Sequence, residues 1–518
     1  MRNAELRFES VLKDGSRDVV GLRLRIYLDG RPSSAVNAVI SGIDLAKTNL
    51  SAADVTGSPG ALLRCAAPHV QNAIEDGRLP LADRLGVLEV RVNGDDLRQE
   101  LGSSDNSLSV ELNQRRTLPE RERFESRNVE SVSVSNFAGF CESQTLQIQD
   151  LTFLVGANGS GKSGMLTVVD LVAALASGRD TATLVGPGWR NAGCDKPSIL
   201  EIELSRPTPT GGGHHAPIIY RAILEDSDSD AAVVQESLTE GPSSSLFERP
   251  AANWGIAYRA QALLNGKEVS AQIASPYDWR TSALSWFRDD SVFPMTQPIA
   301  GALSDVAVYR GWQFGGAKTV RSVVHRDEIG GRLNTSGTNL PEVLASLLSN
   351  GELANQINEA LSEVLPGKVT VSVSGLATME PAIRVVLDGT ELTLRQLSDG
   401  TLQWLQLLSI LKSPTPASLI ALDEPELGLH PDCVAALGNL LCDVAEDGKS
   451  RLVVVTHSAA LLDVFEARGH SDGMRVFERD SKGVRITTPS AEQLAIWCDD
   501  KTTLGEAWLR GAFGGGRW

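Results

Sequence analysis

The sequence predicts an α/β core with an inserted antiparallel β-rich lobe, preceded by a separate β-rich domain. Three observations predict it. A buried strand at Leu151–Val155 runs into a glycine-rich turn and then an apolar helix. Two further apolar runs, Leu419–Leu422 and Arg451–Thr456, end in titratable residues, as parallel strands covered on both faces do. Other stretches alternate apolar and polar residues with period two, the mark of half-exposed antiparallel strands.

At 518 residues the chain is too long for one ordinary core, so two or three domains are expected. A hydrophobic content of 42% with 22% charged residues excludes a disordered chain. No apolar run is long enough to cross a bilayer, and Leu166–Ala176, broken by Asp170, reads as a core helix. The first thirty residues alternate and lack a signal-peptide core, so a cytoplasmic protein without a membrane partner is expected. Six cysteines lie far apart without a CxxC pair, which suits reduced thiols better than a zinc site. His214 and His215 sit in a Gly-rich stretch that reads as a solvated turn. Formal charge is −17; residues 1–125 carry 17 Lys and Arg against 19 Asp and Glu, which leaves −15 on the remainder. That balance disfavours a broadly basic nucleic-acid surface, although a local basic groove is compatible with it.

Residues 1–125 form the first expected domain, with no role assigned by their sequence. Leu22, Leu24, Ile26 and Leu28 alternate with polar neighbours, and Asp14-Gly15, Asp29-Gly30 and Asn93-Gly94 supply turns. A Ser/Ala/Gly-rich stretch over Ser33–Gly60 leads to a helix near Ala61–Glu75. Gln114–Arg127 alternates charge signs around Pro119 and reads as a solvated linker rather than a DNA-contacting arm. The second expected domain covers residues 126–518. Short strands at Ile199–Leu204, Ile218–Leu224 and Val233–Leu238 mark the inserted lobe, about 181–293. No repeat and no long heptad run interrupts this pattern.

Four elements carry chemistry. Gly156–Ser163 (GANGSGKS) fits GxxxxGK[ST], with the strand before it and the helix after it that the motif requires. In such a loop the backbone N–H groups of Gly156, Asn158, Gly159, Ser160 and Gly161 can converge on phosphate oxygens at a helix N-terminus. Lys162 would reach the β- and γ-phosphates and Ser163 would ligate Mg²⁺. The run LIALDE places Asp423 and Glu424 at the carboxyl edge of a parallel sheet. There Asp423 would hold Mg²⁺ through water, and Glu424 would orient and deprotonate the attacking water. His457 ends the strand RLVVVT at the same edge and is suited to sensing a γ-phosphate, whereas in isolation it would be a core histidine. Ser398 and Gly400, in LSDG before a helix over Thr401–Leu411, make a second anion-binding cap or a plain Ser N-cap. Since one chain needs only one phosphate cradle, a second cap points to a site shared between subunits.

The order and spelling of these elements resemble the ABC ATPase superfamily in its SMC-like and RecF-like soluble branch. The resemblance is closest to stand-alone ATPases related to the OLD family, many of which occur in bacterial phage-defence systems. It rests on NFAGF, GANGSGKS, LSDGTLQWL, LIALDEPELGLHP and VVVTHS, with SGTNLPEVL and TLGEAWLRGAFGG in support, and covers roughly 129–518. It implies an ATPase (ATP and water to ADP and phosphate) using ATP and Mg²⁺, with Glu424 as the catalytic carboxylate. It further implies that Ser398 and Gly400 face the γ-phosphate held by a second subunit, and that Glu426–Pro431 forms a dimer-facing loop. Phe137 and Phe140 lie where relatives approach the adenine, although two aromatics after a strand also suit a core. The chain departs from the pattern in three ways. A long interval before Leu397 obscures the glutamine loop, for which Gln313 is the candidate. Coiled-coil arms are missing, so entrapment of DNA by arms is not expected. OLD-type nucleases carry a Toprim domain after the ATPase, and no such acidic cluster follows His457.

These expectations lead to an ATP-dimerised regulator of a separate effector, a nuclease in a bacterial antiviral system. A recombination or repair ATPase acting directly on DNA and a nucleotide-gated scaffold with little turnover are the alternative readings.

Overall fold

The computed structural model describes residues 2–13, 19–28, 31–40, 59–75, 86–90, 107–112, 128–179, 185, 189, 196–205, 217–227, 230–241, 244–249, 257–264, 267–274, 282–285, 296–311, 332–365, 367–374, 382–498 and 502–513. Gln313, the segment Gln114–Arg127, Cys194 and the pair His214-His215 lie outside the described residues. Two compact units are present: Met1–Phe124 with Ala274–Asp278, and Glu125–Ile273 with Trp279–Trp518.

In the first unit, β1 (Arg2–Lys13), β2 (Val19–Leu28), β3 (Arg31–Ile40), β4 (Gly86–Val90) and β5 (Ser107–Leu112) form one sheet in the order β4-β3-β2-β1-β5. The β1–β2 and β2–β3 pairs are antiparallel, whereas β3 and β4 run parallel. The strand β3 occupies the start of the Ser/Ala-rich stretch, where composition alone suggests no strand. Hydrogen bonding to β2 on one side and β4 on the other outweighs the weak local propensity. Helix α1 (Pro59–Glu75) buries Leu62, Leu63, Ala66 and Val70, spaced to share one face.

The second unit is α/β, with three sheets. An antiparallel sheet of eight strands has the order β14-β13-β12-β11-β10-β9-β6-β7. Its members are β6 (Asn128–Ser135), β7 (Gln144–Gln147), β9 (Ser198–Ser205), β10 (Ile218–Ser227), β11 (Asp230–Glu240), β12 (Ser244–Arg249), β13 (Ala257–Leu264) and β14 (Lys267–Ala274). The strands between 198 and 274 therefore continue the sheet that β6 and β7 begin, through the antiparallel β6–β9 pair. A small sheet of β16 (Val369–Ser374), β17 (Ala382–Leu387) and β18 (Thr390–Thr393) stands apart from it in the hydrogen-bond pattern.

The sheet that positions the site has six strands in the order β15-β19-β20-β8-β21-β22. It comprises β8 (Leu151–Val155), β15 (Val306–Tyr309), β19 (Leu419–Asp423), β20 (Arg451–Val455), β21 (Met474–Asp480) and β22 (Gly483–Thr487). The first five are parallel, and β22 turns back against β21. Both faces are covered, which explains the continuous apolar runs. Phe153, Ile420, Leu422, Leu452 and Val454 face one core. Leu154, Leu419, Ala421, Val453 and Val455 face the other. The first core is packed by α4 (Leu340–Leu348), α5 (Gly351–Val364), α6 (Asp399–Leu411), α7 (Pro431–Glu446) and α8 (Ala459–Ala467). The second contains α2 (Lys162–Ser177) and α3 (Thr296–Ser304). Helix α2 buries eleven of its residues, so the apolar run Leu166–Ala176 is interior helix. Among the described residues no helix is long and apolar enough to cross a membrane.

Candidate nucleotide site

Parallel strands deliver their carboxyl ends to one edge, and successive strands of this sheet end in chemistry. In spatial order the edge carries Arg310 after β15, Asp423 and Glu424 at the end of β19, His457 after β20, and Gly156 after β8. Sheets of this kind bind ligands at that edge.

The loop after β8 is shaped by close approach. Gly156 has φ 148°, and a Cβ there would stand 2.2 Å from the Phe477 carbonyl oxygen on β21. Gly161 has φ 110° and would press a Cβ to 2.6 Å from Val484 on β22. Only glycine takes both the left-handed backbone and the missing space. Gly161 is also the N-cap of α2 and has no side chain to answer the first-turn N–H groups. Those donors, together with the positive end of the helix, are left for an anion.

Lys162 is buried, its Nζ 2.7 Å from the Gly156 oxygen and 3.0 Å from the Ala157 oxygen. Burial lowers its pKa to about 8, against the pull of Glu424 and Asp423, which favour the charged form. The Ser163 hydroxyl bonds to Asp423. Burial raises the Asp423 pKa, and the Arg310 guanidinium opposes that rise.

Glu424 has φ 47°, a left-handed conformation that a non-glycine residue adopts at a cost of about 1–2 kcal/mol. Its N–H still bonds the Val455 oxygen at 2.9 Å, so the kink begins as the β19–β20 ladder ends. Glu424 Oε1 lies 3.5 Å from His457 Nε2. Burial lowers the His457 pKa and Lys162 adds to the effect, so the imidazole is neutral near pH 7. Its ring lies 6.1 Å from that of Trp508, on α9 (Leu504–Leu509).

A cavity of about 270 Å³ opens between this loop and the strand ends. Asn158, Gly159, Gly161, Lys162 and Ser163 line it from the loop, and Glu424 and His457 from the neighbouring strands. Gly156 and Ser160 shape the loop from behind, the latter buried. Ser398 and Gly400 are not part of this cavity wall. Ser398 caps α6 within its own chain, accepting from Thr401 N at 3.2 Å. A Cβ on Gly400 would stand 3.0 Å from the Gly428 oxygen, so this turn packs beside the loop that follows Glu424.

Phe137 and Phe140 are fully buried, and Phe137 packs on Trp189 with ring centroids 5.6 Å apart. They are core residues. The adjacent Ala138 lines the cavity instead, as does Arg479 from β21, whose Nη1 lies 3.5 Å from the Gly159 oxygen. Sequence reasoning passed over Ala138, Arg479 and two further residues. Glu426 turns inward, its Oε1 accepting from Thr456 Oγ1 at 2.6 Å and from His457 N at 3.0 Å. That carboxylate ties the loop after Glu424 to the strand end carrying His457, and its signal was the second Glu of the DEPE run. Arg310 follows β15 in YRGWQF, where its charge at a strand end was the available signal.

ATP and Mg²⁺ suit these residues. The loop presents open N–H groups around an ammonium, and a hydroxyl bonded to a carboxylate is the oxygen donor set that Mg²⁺ takes.

Residues 379–463, which include Ser398, Asp423, Glu424 and His457, match the family described as "AAA domain, putative AbiEii toxin, Type IV TA system". No curated protein matches the chain in sequence. Among solved structures the chain is similar to an SmcHead bound to the C-winged helix domain of ScpA, at 13% identity and TM-score 0.40, covering 71% of this chain and 99% of that one. It is also similar to the SMC head domain from Thermotoga maritima, at 13% identity and TM-score 0.32, covering 70% of this chain and 100% of that one. A third is the Smc head domain with an extended coiled coil bound to the C-terminal domain of ScpA, derived from Pyrococcus furiosus. It is 12% identical with TM-score 0.38, covering 71% of this chain and 98% of that one.

Proposed function

We propose that this chain binds and hydrolyses ATP, and that two copies share their nucleotide sites. The observation that carries the reading is the convergence of Lys162, Ser163, Glu424 and His457 on one cavity at the carboxyl edge of the parallel sheet. The AAA-domain match over 379–463 supports it.

The chemistry follows from the groups in place. Loop N–H groups and the Lys162 ammonium neutralise phosphate oxygens and hold the terminal phosphate in line. Ser163 and Asp423 would hold Mg²⁺, which spreads the charge that builds on the phosphate oxygens. Glu424 takes a proton from a water molecule as its oxygen attacks the terminal phosphorus, and the bridging oxygen leaves with ADP. The proton then passes to solvent. Neutral His457 has a single N–H, which can serve either the Glu424 carboxylate 3.5 Å away or a phosphate oxygen. Sharing is supported by the placement of Ser398 and Gly400, whose cap lies outside this chain's own cavity with Ser398 exposed at the surface.

Mg²⁺-dependent phosphate release by the pure protein tests the reading. Release that persists unchanged in Glu424→Gln would remove Glu424 from the mechanism. For the biological role, the family description names a toxin of a toxin–antitoxin system. Our reading is regulation of a separate effector in a bacterial antiviral system. Expressing the chain with its genomic neighbours in a phage-sensitive host should lower plating efficiency, and Lys162→Ala should restore it. Equal plating with either form would sink the antiviral role while leaving the ATPase assignment standing.

A further inference from the structure

Arg310 is a half-buried cation that the hydrolytic scheme above does not use. It stands one residue past the parallel pair Tyr309–Leu422, which brings it beside Asp423 at the sheet edge. Alternation along the two strands puts both residues on the same side. Tyr309 and Leu422 face the first core. Val308 and Ala421 face the second, toward α2, so Arg310 and Asp423 point that way as well. The guanidinium reaches α2, where Nη1 donates to Thr167 Oγ1 at 2.9 Å. Thr167 Oγ1 in turn donates to the Ser163 backbone oxygen at 3.0 Å. One face of Arg310 is thereby fixed to the residue at the end of the phosphate loop.

Its other donors are not used. Nε and Nη2 are buried with no hydrogen-bond partner among the described residues. Buried N–H donors left without acceptors are costly, and a guanidinium has a fork geometry suited to phosphate oxygens. Asp170 and Asp423 act on the guanidinium electrostatically, which keeps it charged against burial. Charge, anchorage and unpartnered donors thus meet beside the pair that would hold the metal.

On the premise that the site binds ATP, we infer that Arg310 is a second phosphate-side cation, directing Nε–H and Nη2–H to oxygens of the terminal phosphate. Lys162 approaches the phosphates from the loop, whereas Arg310 comes from the opposite strand, next to Asp423. Such a residue distinguishes ATP from ADP, because only ATP carries the group it contacts. A purely structural Arg310, knitting β15 to α2 and balancing Asp170 and Asp423, would have no preference between the nucleotides.

Calorimetric titration with ADP and with a non-hydrolysable ATP analogue, each with Mg²⁺, separates the two. The proteins are wild type, Arg310→Lys, Arg310→Met and Lys162→Ala, each checked for a cooperative melt. Loss of charged hydrogen bonds should weaken the ATP analogue about tenfold or more in both Arg310 variants, with ADP affinity within about twofold of wild type. Arg310→Lys keeps the charge beside Asp423 but cannot supply the fork, so it decides the matter even if Arg310→Met folds poorly. Unchanged analogue affinity in Arg310→Lys, or equal weakening of both nucleotides, would overturn the assignment. Wild-type protein that melts cooperatively and binds neither nucleotide would overturn the nucleotide reading itself. Binding by wild type that Lys162→Ala abolishes secures that reading and leaves Arg310 to be judged on its own variants.

Discussion

The two helices that carry the phosphate-loop and Ser398 motifs begin in opposite ways. At α2 the N-cap is Gly161, left-handed, which has no side chain to offer the first-turn N–H groups. At α6 the N-cap is Ser398, whose hydroxyl takes the Thr401 N–H and also lies 2.8 Å from Thr401 Oγ1. Every helix start leaves about four N–H groups without partners. In α2 they remain for something outside the chain, and a buried lysine stands beside them. In α6 one is answered from within. A helix opened by glycines leaves all of these donors to a ligand, whereas a helix opened by serine answers one of them itself. The difference separates a start that relies on a group outside the chain from one that is partly satisfied by its own side chain.

The sharpest way to break this contrast is at α2. Removing the Lys162 ammonium should abolish nucleotide affinity, because the remaining N–H groups cannot balance the phosphate charge alone. Glu424→Gln should keep affinity and lower turnover by about 10²–10⁴-fold, the range for loss of a general base. Equilibrium binding and phosphate release, measured on both variants, distinguish the roles. A Glu424→Gln protein that loses affinity as Lys162→Ala does would mean that the carboxylate holds the site together instead of acting on water.

The glycine opening can be tested without touching charge. Gly161→Ala adds a methyl at φ 110° and forces it toward Val484. Strain of this kind costs about 1–3 kcal/mol. Denaturant unfolding of Gly161→Ala should therefore show that loss, and nucleotide affinity should fall with it. Adding Val484→Ala makes room for the methyl but leaves the backbone strained, so recovery should be partial. Full recovery would show that space alone, and not the left-handed turn, requires glycine there.

The lysine itself predicts a pH dependence. Its pKa near 8 in the free protein means that the ammonium is lost as pH rises through that value. A polyanionic nucleotide binds the protonated form, so affinity should be flat below about pH 8. Above it, affinity should fall by at most about tenfold per pH unit, with uptake of up to one proton on binding. Titrations in two buffers of different ionisation enthalpy at pH 8.5 measure that uptake. Lys162→Arg, charged throughout the range, should bind without uptake or with a flat profile. A wild-type profile equally flat would remove burial as the factor that sets this lysine.

What could be read from the sequence depended on how each feature is made. The strands β8, β19 and β20 were legible because both faces are buried and the apolar runs are unbroken. The loop was legible because its glycines are required within eight residues. The strand β3 was not, since neighbours supply its hydrogen bonds and its Ser and Ala residues do not advertise them. Ala138 and Arg479 reach the cavity from strands of two different sheets, and Arg310 follows a third strand, so no spacing along the chain relates them. Glu426 looked like part of an outward loop, and Leu427, Gly428 and His430 after it are indeed exposed, yet its own carboxylate turns back to Thr456. A side chain's direction at such a turn depends on tertiary hydrogen bonds that spacing alone does not reveal.

The smallest expected effects lie at α6, and they decide whether its start has a second use. If Ser398 is only a cap, Ser398→Ala should cost about 1 kcal/mol of stability and leave turnover alone. Sharing of sites predicts more. Ser398→Arg should then block turnover by obstructing the cap that completes a partner's cavity, while its own phosphate loop stays intact. Lys162→Ala is inactive for the reverse reason, with a good cap and a spoiled loop. Mixed in equal amounts, the two inactive proteins form heterodimers in which one site carries both lesions and the other carries neither. Random exchange makes half the dimers mixed and leaves one intact site in each, so about a quarter of wild-type turnover should return. Light scattering with ATP analogue establishes that dimers form and exchange. If they do, and the mixture stays silent, coupling between paired sites is distinguished by ATP binding. Binding at the intact site without turnover indicates strict coupling between the paired sites. Normal turnover by Ser398→Arg at a dilution where scattering shows only monomers would leave α6 with nothing more than its own cap.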